Sequence, residues 1–146
     1  RIALKIVQER EKEPILSTVR LAQIVRDAYG ARARSSRLNP ATRTFMALRI
    51  AVNDELSALD ALLEDVETGC RKVGDGGWLN HGARVAVISF HSLEDRRVKQ
   101  AFVALEKNGL ATRLTRKPTR ASEEEIASNT RSRPAKLRAV SILQED

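Results

Sequence analysis

The stretch Ala83-Arg84-Val85-Ala86-Val87-Ile88-Ser89-Phe90-His91-Ser92-Leu93-Glu94-Asp95-Arg96 constrains this chain most. The apolar run from Val85 to Phe90 has the length of a strand buried on both faces. It stops abruptly at His91-Ser92. Ser92 with Asp95 three residues later fits a capping-box-like helix start, and Glu94 and Asp95 suit the positive end of a helix dipole. The segment reads as strand, tight turn, helix. In open α/β sheets, ligands sit beyond the carboxyl ends of such strands. His91 and Ser92, stranded at that turn, are the leading candidates for substrate-pocket hydrogen-bonding groups; the bland alternative for His91 is a helix cap or loop residue.

The flanking segments supply further helices and strands. Residues 1–12 carry Ile2, Leu4, Ile6 and Val7 among charges and read as a helix, which Pro14 breaks. Ser17 or Thr18 can cap a second helix with an inner stripe of Leu21, Ile24, Val25 and Ala28, ended by Gly30. Arg32, Arg34 and Arg37 form a basic loop. After Asn39-Pro40, Phe45, Leu48, Val52, Leu56, Leu59, Leu63 and Val66 recur at steps of three and four, which predicts one long amphipathic helix over about 41–72. Arg43, Arg49 and Asn53 crowd its opening turns: they are solvated, or Arg49 and Asn53, one turn apart, face a polar cavity. Gly74 to Gly82 is a helix-to-strand connection. Its glycines lack GxGxxG spacing and a following Lys-Ser/Thr, which argues against a phosphate loop.

Beyond the central strand, Leu93, Val98, Phe102 and Leu105 give the next helix its buried side, closed by Asn108-Gly109. Residues 112–117 alternate as a short strand ended by Pro118. Ser122 with Glu125 marks a capping box over a short acidic helix to about Ser128. A basic loop with Arg131 and Arg133 leads to a well-covered final strand over 137–143.

The 146 residues hold one domain's worth of core, built from Leu, Val, Ile and Ala because aromatics make up only 3%. A formal net charge of +7 points to a polyanionic partner such as RNA. The lone Cys70 allows no internal disulfide, which fits a reducing cytoplasm. No apolar stretch reaches the ~20 residues that span a bilayer. Two histidines and one cysteine, scattered at 70, 81 and 91, have no zinc-ligand spacing, so no metal site is expected. A Ser92-His91-Asp95 hydrolase is disfavoured: adjacent His and Ser seldom face each other, and G-x-S-x-G is absent.

Four segments in order resemble one family: NPATRTFMALRIAVNDE (Asn39–Glu55), VISFHSLEDR (Val87–Arg96) with Val98-Lys99, SEEEI (Ser122–Ile126) and NTRSRPAKLR (Asn129–Arg138). The chain is identified as a member of the RsmH (MraW) family of S-adenosylmethionine-dependent methyltransferases. It departs from the family pattern at Asn39, where His is usual, at Pro134, where Ser is usual, and at Trp78 to His81, which looks like an insertion. The resemblance implies transfer of a methyl group to the exocyclic N4 of a cytosine in small-subunit ribosomal RNA. It also implies an α/β fold: the C-terminal part of a Rossmann-like methyltransferase domain over 41–146, with about three strands including a closing antiparallel pair. Residues 1–40 resemble the end of an inserted helical domain.

On this map the glycine-rich cofactor loop and the acidic residue for the cofactor ribose lie upstream, so no cofactor-binding residue is expected in this chain. A chain opening at Arg1 inside a helical pattern reads as a fragment, expected to be inactive and to bind S-adenosylmethionine poorly on its own. Asn53, His91 and Ser92 are the pocket-side candidates, and Arg32, Arg34, Arg43, Arg49, Arg131 and Arg133 the RNA-contact candidates. Part of a sheet exposes an apolar strand edge, which favours a homodimer. The competing class is a non-catalytic basic RNA-binding module using the same loops; a third is an inert structural fragment.

Overall fold

A computed structural model describes residues 1–33 and 39–143, without the side chain of Arg32. Arg34 and Arg37 therefore lie outside the described residues. The chain forms two compact units, Arg1–Glu55 and Leu56–Asp146.

The first unit is helical. Helix α1 (Ile2–Lys12) ends at Glu13, which is extended (φ −154°, ψ 137°) as the residue before Pro14 must be. Helix α2 (Thr18–Tyr29) starts where Ser17 accepts the Arg20 backbone N–H at 3.1 Å. It ends at Gly30, whose φ of 63° suits a residue without a Cβ. Ile24, Val25 and Ala28 are buried as the stripe predicts, with Leu21 half-buried. Helix α1 buries no residue fully. Glu9 ties it to α2 instead, meeting Lys5, Lys12 and Arg20 at 3.0–3.1 Å. The ammonium groups of Lys5 and Lys12 hold the Glu9 carboxyl down at about 2. Helix α3 (Thr42–Asn53) follows a turn in which the Asn39 side-chain oxygen accepts the Ala41 N–H at 3.0 Å.

The expected single helix over 41–72 is two. Asp54 is left-handed (φ 51°, ψ 38°) and returns its N–H to the Ile50 carbonyl, ending α3 before α4 (Glu55–Arg71) begins. Asp is among the few residues that adopt this conformation without glycine. The break interrupts the 3.6-residue phase, so the apolar stripe does not run through: Leu63 and Val66 are buried, whereas Leu48 and Val52 are exposed.

The second unit packs helices against a small sheet. Helix α4 leads through the glycine turn to β1 (Arg84–Ser89), then α5 (Ser92–Lys107), β2 (Ala111–Arg113), α6 (Glu123–Ser128), a 3-10 turn at Thr130–Ser132 and β3 (Lys136–Ile142). Gly69 on α4 makes room for the connection: a Cβ there would lie 2.8 Å from the Trp78 indole nitrogen. The strand order is β1-β3-β2, with both pairings antiparallel. Arg84 pairs with Ser141 and Ser89 with Lys136; Ala111 pairs with Ile142. The core joins Leu63, Val66 and Cys70 of α4, Leu79 of the connection, Val98, Phe102 and Leu105 of α5, and Ala111, Val140 and Ile142 of the sheet. Each large aliphatic or aromatic side chain fully removed from water contributes about 1.5–3 kcal/mol.

Three expectations are corrected here. First, among the described residues β1 stands at the edge of the sheet, not inside it, and burial alternates along it. Val85 and Val87 pack on the helices, whereas Ile88 and Phe90 are 56% and 54% exposed. The inner strand is β3, which brings Arg138, Ala139 and Val140 into the interior. Ile88 lies on the face opposite Val85 and Val87, away from the core, so an apolar run does not imply two covered faces. Second, β2 covers Ala111–Arg113 rather than 112–117. The Leu114 and Thr115 N–H groups both turn to the Ala139 carbonyl (2.9 and 3.3 Å), and the Thr115 hydroxyl accepts the Ala139 N–H at 2.9 Å. Pairing resumes only at the Thr119–Leu137 bridge. Third, Leu93 is 40% exposed; the buried side of α5 begins at Val98.

Asp95, in the first turn of α5, fastens that helix to β3. It accepts from Arg138 Nε at 2.8 Å and Lys136 Nζ at 3.1 Å, and Arg138 is only 6% exposed. Burial works against the Asp95 charge, but the hydrogen bonds and charges of Arg138 and Lys136 outweigh it and hold its carboxyl below the ordinary value. The ionised carboxylate therefore contributes stability in full above the unfolded pKa of roughly 3.9, lost as pH falls below it. Asp95→Asn is expected to cost about 3 kcal/mol in chemical denaturation at pH 7, by leaving Arg138 uncompensated. The variant is also expected to show a shallower loss of stability below pH ~4. Phe102, 1% exposed, is expected to cost about 3–5 kcal/mol on replacement by Ala in the same measurement.

Candidate functional site

The turn from β1 into α5 is built from the backbone outward. Ser89, the last strand residue, is 2% exposed; Phe90 turns to the open side; His91 (φ −140°, ψ 168°) is the N-cap of α5. The capping box is one residue earlier than the sequence suggests. His91 Nδ1 accepts the Glu94 N–H at 3.2 Å, and Glu94 Oε2 accepts the N–H groups of Phe90 (2.8 Å) and His91 (3.0 Å). The reason is that an extended His91 presents a ring nitrogen at the height of a Ser or Asn oxygen, while Glu94 reaches back further than Asp95 would.

This geometry sets the tautomer. A neutral imidazole whose Nδ1 accepts must carry its proton on Nε2. Among the described residues that buried Nε2 makes no hydrogen bond, although Glu94 Oε1 lies 3.3 Å away, and the buried Ser89 hydroxyl has no partner. Ser92 is exposed at the first helical position. The turn thus holds a buried hydroxyl with no hydrogen bond among the described residues, a buried imidazole N–H facing only Glu94, a surface hydroxyl, and a half-exposed aromatic face at Phe90. It is not a hydrolytic triad: His91 Nδ1 faces a backbone amide, and Asp95 faces Arg138 and Lys136. Cys70 is no nucleophile either. Burial, aided by the Glu67 charge, pushes its thiol up, so it stays protonated at neutral pH.

In the first unit, Arg49 and Asn53 come together on Glu55. Arg49 donates from Nε (2.8 Å) and a terminal nitrogen (3.0 Å), a two-pronged pair, and Asn53 Nδ2 donates at 3.2 Å. The left-handed Asp54 swings Glu55 back within reach. Arg43 is exposed on α3. In the second unit, Arg131 and Arg133 are exposed on the turn after α6. Asn129 shapes this turn: its side-chain oxygen accepts the Arg131 N–H at 3.2 Å, and its carbonyl accepts the Ser132 hydroxyl at 2.8 Å.

Sequence reasoning gave Glu55, Ser89 and Phe90 no site role, and Glu94 only a place at the helix dipole. Glu94 had a signal, a carboxylate three residues after the polar residue at the turn, His91; Glu55 had none, because its role depends on the Asp54 bend.

The residues at the β1–α5 turn do not fit an S-adenosylmethionine cradle. Among the described residues this strand-to-helix turn contains no glycine for close backbone approach. The N–H groups of Phe90 and His91 are already taken by Glu94.

The model of the MraW methylase family matches residues 1–143. The chain is similar to the ribosomal RNA small subunit methyltransferase H of Synechococcus sp. (strain CC9311), at 52% identity over 139 residues, covering 94% of this chain and 41% of that protein. The corresponding protein of Prochlorococcus marinus (strain MIT 9303) is 53% identical over 139 residues, covering 94% and 41%. That of Solidesulfovibrio magneticus is 46% identical over 161 residues, covering 99% and 47%. The chain thus spans less than half the length of these curated relatives. A match running through nearly every element described above, including the β1–α5 turn, settles its kinship: the chain belongs to the MraW methylase family.

Proposed function

We propose that the intact protein transfers a methyl group from S-adenosylmethionine to the exocyclic N4 of a cytosine in small-subunit ribosomal RNA, and that this chain supplies substrate-side groups. The observation that carries the reading is the family match over residues 1–143, supported by relatives named for methylation of small-subunit ribosomal RNA. The choice of cytosine N4 rests on the resemblance of the four motifs. No cofactor contact is assigned to these residues, because the strand-to-helix turn does not fit one.

An exocyclic cytosine amine is a poor nucleophile, since its lone pair is shared with the ring. Groups that accept from its N–H and fix its direction lower the barrier by alignment. Asn53 gives its side-chain nitrogen to Glu55, and its Oδ1 is the acceptor for such an amine. His91 Nε2–H, buried in this structure, is proposed to meet the ring acceptors of a base once RNA is bound, and the Ser92 hydroxyl can donate or accept. Phe90 offers a stacking face, a recurrent device for unstacked bases. Arg43, Arg131 and Arg133 are proposed phosphate contacts, with Arg32 and Arg34; Arg49, held by Glu55, positions.

The reading places the reaction in the cytoplasm. No helix among the described residues is long and apolar enough to cross a membrane. The outer edge of β1 has no partner strand among the described residues, and a second copy pairing there is proposed as the route to a homodimer. The cationic loops also favour a second reading, a non-catalytic RNA-binding module.

His91→Asn keeps an N-cap oxygen while removing Nε2–H, so the fold is expected to hold to within about 1 kcal/mol. Combined with Ser92→Ala in the intact protein, it is expected to lower kcat/KM for methylation of small subunits on the order of 100-fold. Native methylation would release both residues from the substrate side. Absence of methyl transfer by the unaltered protein would favour the binding module. The isolated chain is expected to give no heat of S-adenosylmethionine binding at micromolar concentrations in titration calorimetry.

A further inference from the structure

We propose that the outward face of α5 is a track for the phosphate backbone of the RNA substrate; this rests on the RNA-methylating reading above and adds a surface to it. Val98, Phe102 and Leu105 face the core. At 3.6 residues per turn, the opposite side carries Arg96, Lys99, Gln100, Val103 and Lys107. Together with Ala104 these line one open recess of about 510 Å³. At 1.5 Å per residue, Arg96 and Lys107 stand about 16 Å apart along the axis. One strand of a duplex carries a charge every ~3.4 Å, so on the order of five phosphates run alongside.

The arrangement of charge separates this face from an ordinary solvated one. Every carboxylate of α5 is spent elsewhere. Glu94 closes the cap, Asp95 holds Arg138 and Lys136, and Glu106 meets Arg113 at 2.6 Å. Arg113 keeps the Glu106 carboxyl below its usual range, so it stays charged and occupied. Arg97 is likewise paired, with Asp60 of α4 at 2.9 Å. What remains outward is three cations, Arg96, Lys99 and Lys107, all exposed and without an ion pair among the described residues. No carboxylate lines the recess. Its floor, Val103 and Ala104, suits the apolar edge of a ribose, and Gln100 can hydrogen-bond a phosphate or a 2′-hydroxyl. Such a track sets register and orientation and reads no base.

The test uses the full-length protein with Arg96→Gln, Lys99→Gln and Lys107→Gln combined. Binding to small-subunit ribosomal RNA is measured from roughly 50 to 200 mM salt, alongside methylation kinetics. The expected result is a log K against log salt slope shallower by about 2, from ~0.7 per lost contact. KM for RNA should rise on the order of tenfold, with kcat at saturating RNA retained. The charge-conserving Arg96→Lys, Lys99→Arg, Lys107→Arg protein should behave as the unaltered one, which guards against a misfolded variant. Arg116→Gln with Lys117→Gln, removing exposed cations outside the recess, should leave slope and KM unchanged. A wild-type slope and KM in the Gln variant would overturn the track and leave the functional reading standing. Equal losses in the Arg116/Lys117 variant would overturn it in favour of diffuse attraction. A loss confined to binding of phosphatidylserine-containing vesicles, with RNA binding intact, would overturn it in favour of a membrane. Failure of the unaltered protein to bind or methylate the RNA would overturn both.

Discussion

The carboxylate of Asp95 holds the second unit in its working shape. One oxygen faces Arg138 and the other Lys136, on the strand that runs through the middle of the sheet. Stripped of that partner, Arg138 would carry a full charge under the first turn of α5 with nothing to offset it, a situation that interiors do not tolerate. The start of α5 is thus set from the β3 side by an ion cluster. From the β1 side it is set by the His91–Glu94 cap. The strand-to-helix turn between them is held from two directions, which is what precise presentation of a polar group requires.

A second pattern follows from the first. Four acidic side chains of the second unit serve its architecture: Glu94 in a cap, Asp95 and Glu106 against strand arginines, Asp60 against Arg97. On the outward side of α5 this leaves Arg96, Lys99 and Lys107 exposed. A net charge of +7 is a weak statement about partners, but a helix face left with cations and no carboxylate is a stronger one.

Local chemistry was legible in the sequence and long-range geometry was not. Ser17, Gly30 and the Ser122 N-cap act within four residues, and each stands where expected, although only the Ser122 half of the expected capping box forms. The apolar stripe of α2 was equally readable, because one helix face against one partner is a local pattern. The break at Asp54 was hidden because aspartate enters a left-handed conformation without the glycine that announces it. The edge position of β1 was hidden because the residues of a strand do not record what lies on its far side. At the candidate site, His91 stood out by its place at a strand's end. Glu94, which actually engages it, was one position away from the expected partner, and the Asp95–Arg138 contact spans 43 residues of sequence.

The interruption after β2 has a consequence for how the sheet finds its pairing. Two amides, those of Leu114 and Thr115, converge on the single carbonyl of Ala139, and the Thr115 hydroxyl seizes the amide of the same residue. Sliding the last strand by one position would break all three bonds together. It would also turn Arg138 out to water and thrust Ala139 towards α5, since neighbouring strand residues point to opposite sides. Ala139 is therefore a molecular bolt: a small, featureless side chain whose backbone forbids every alignment but one.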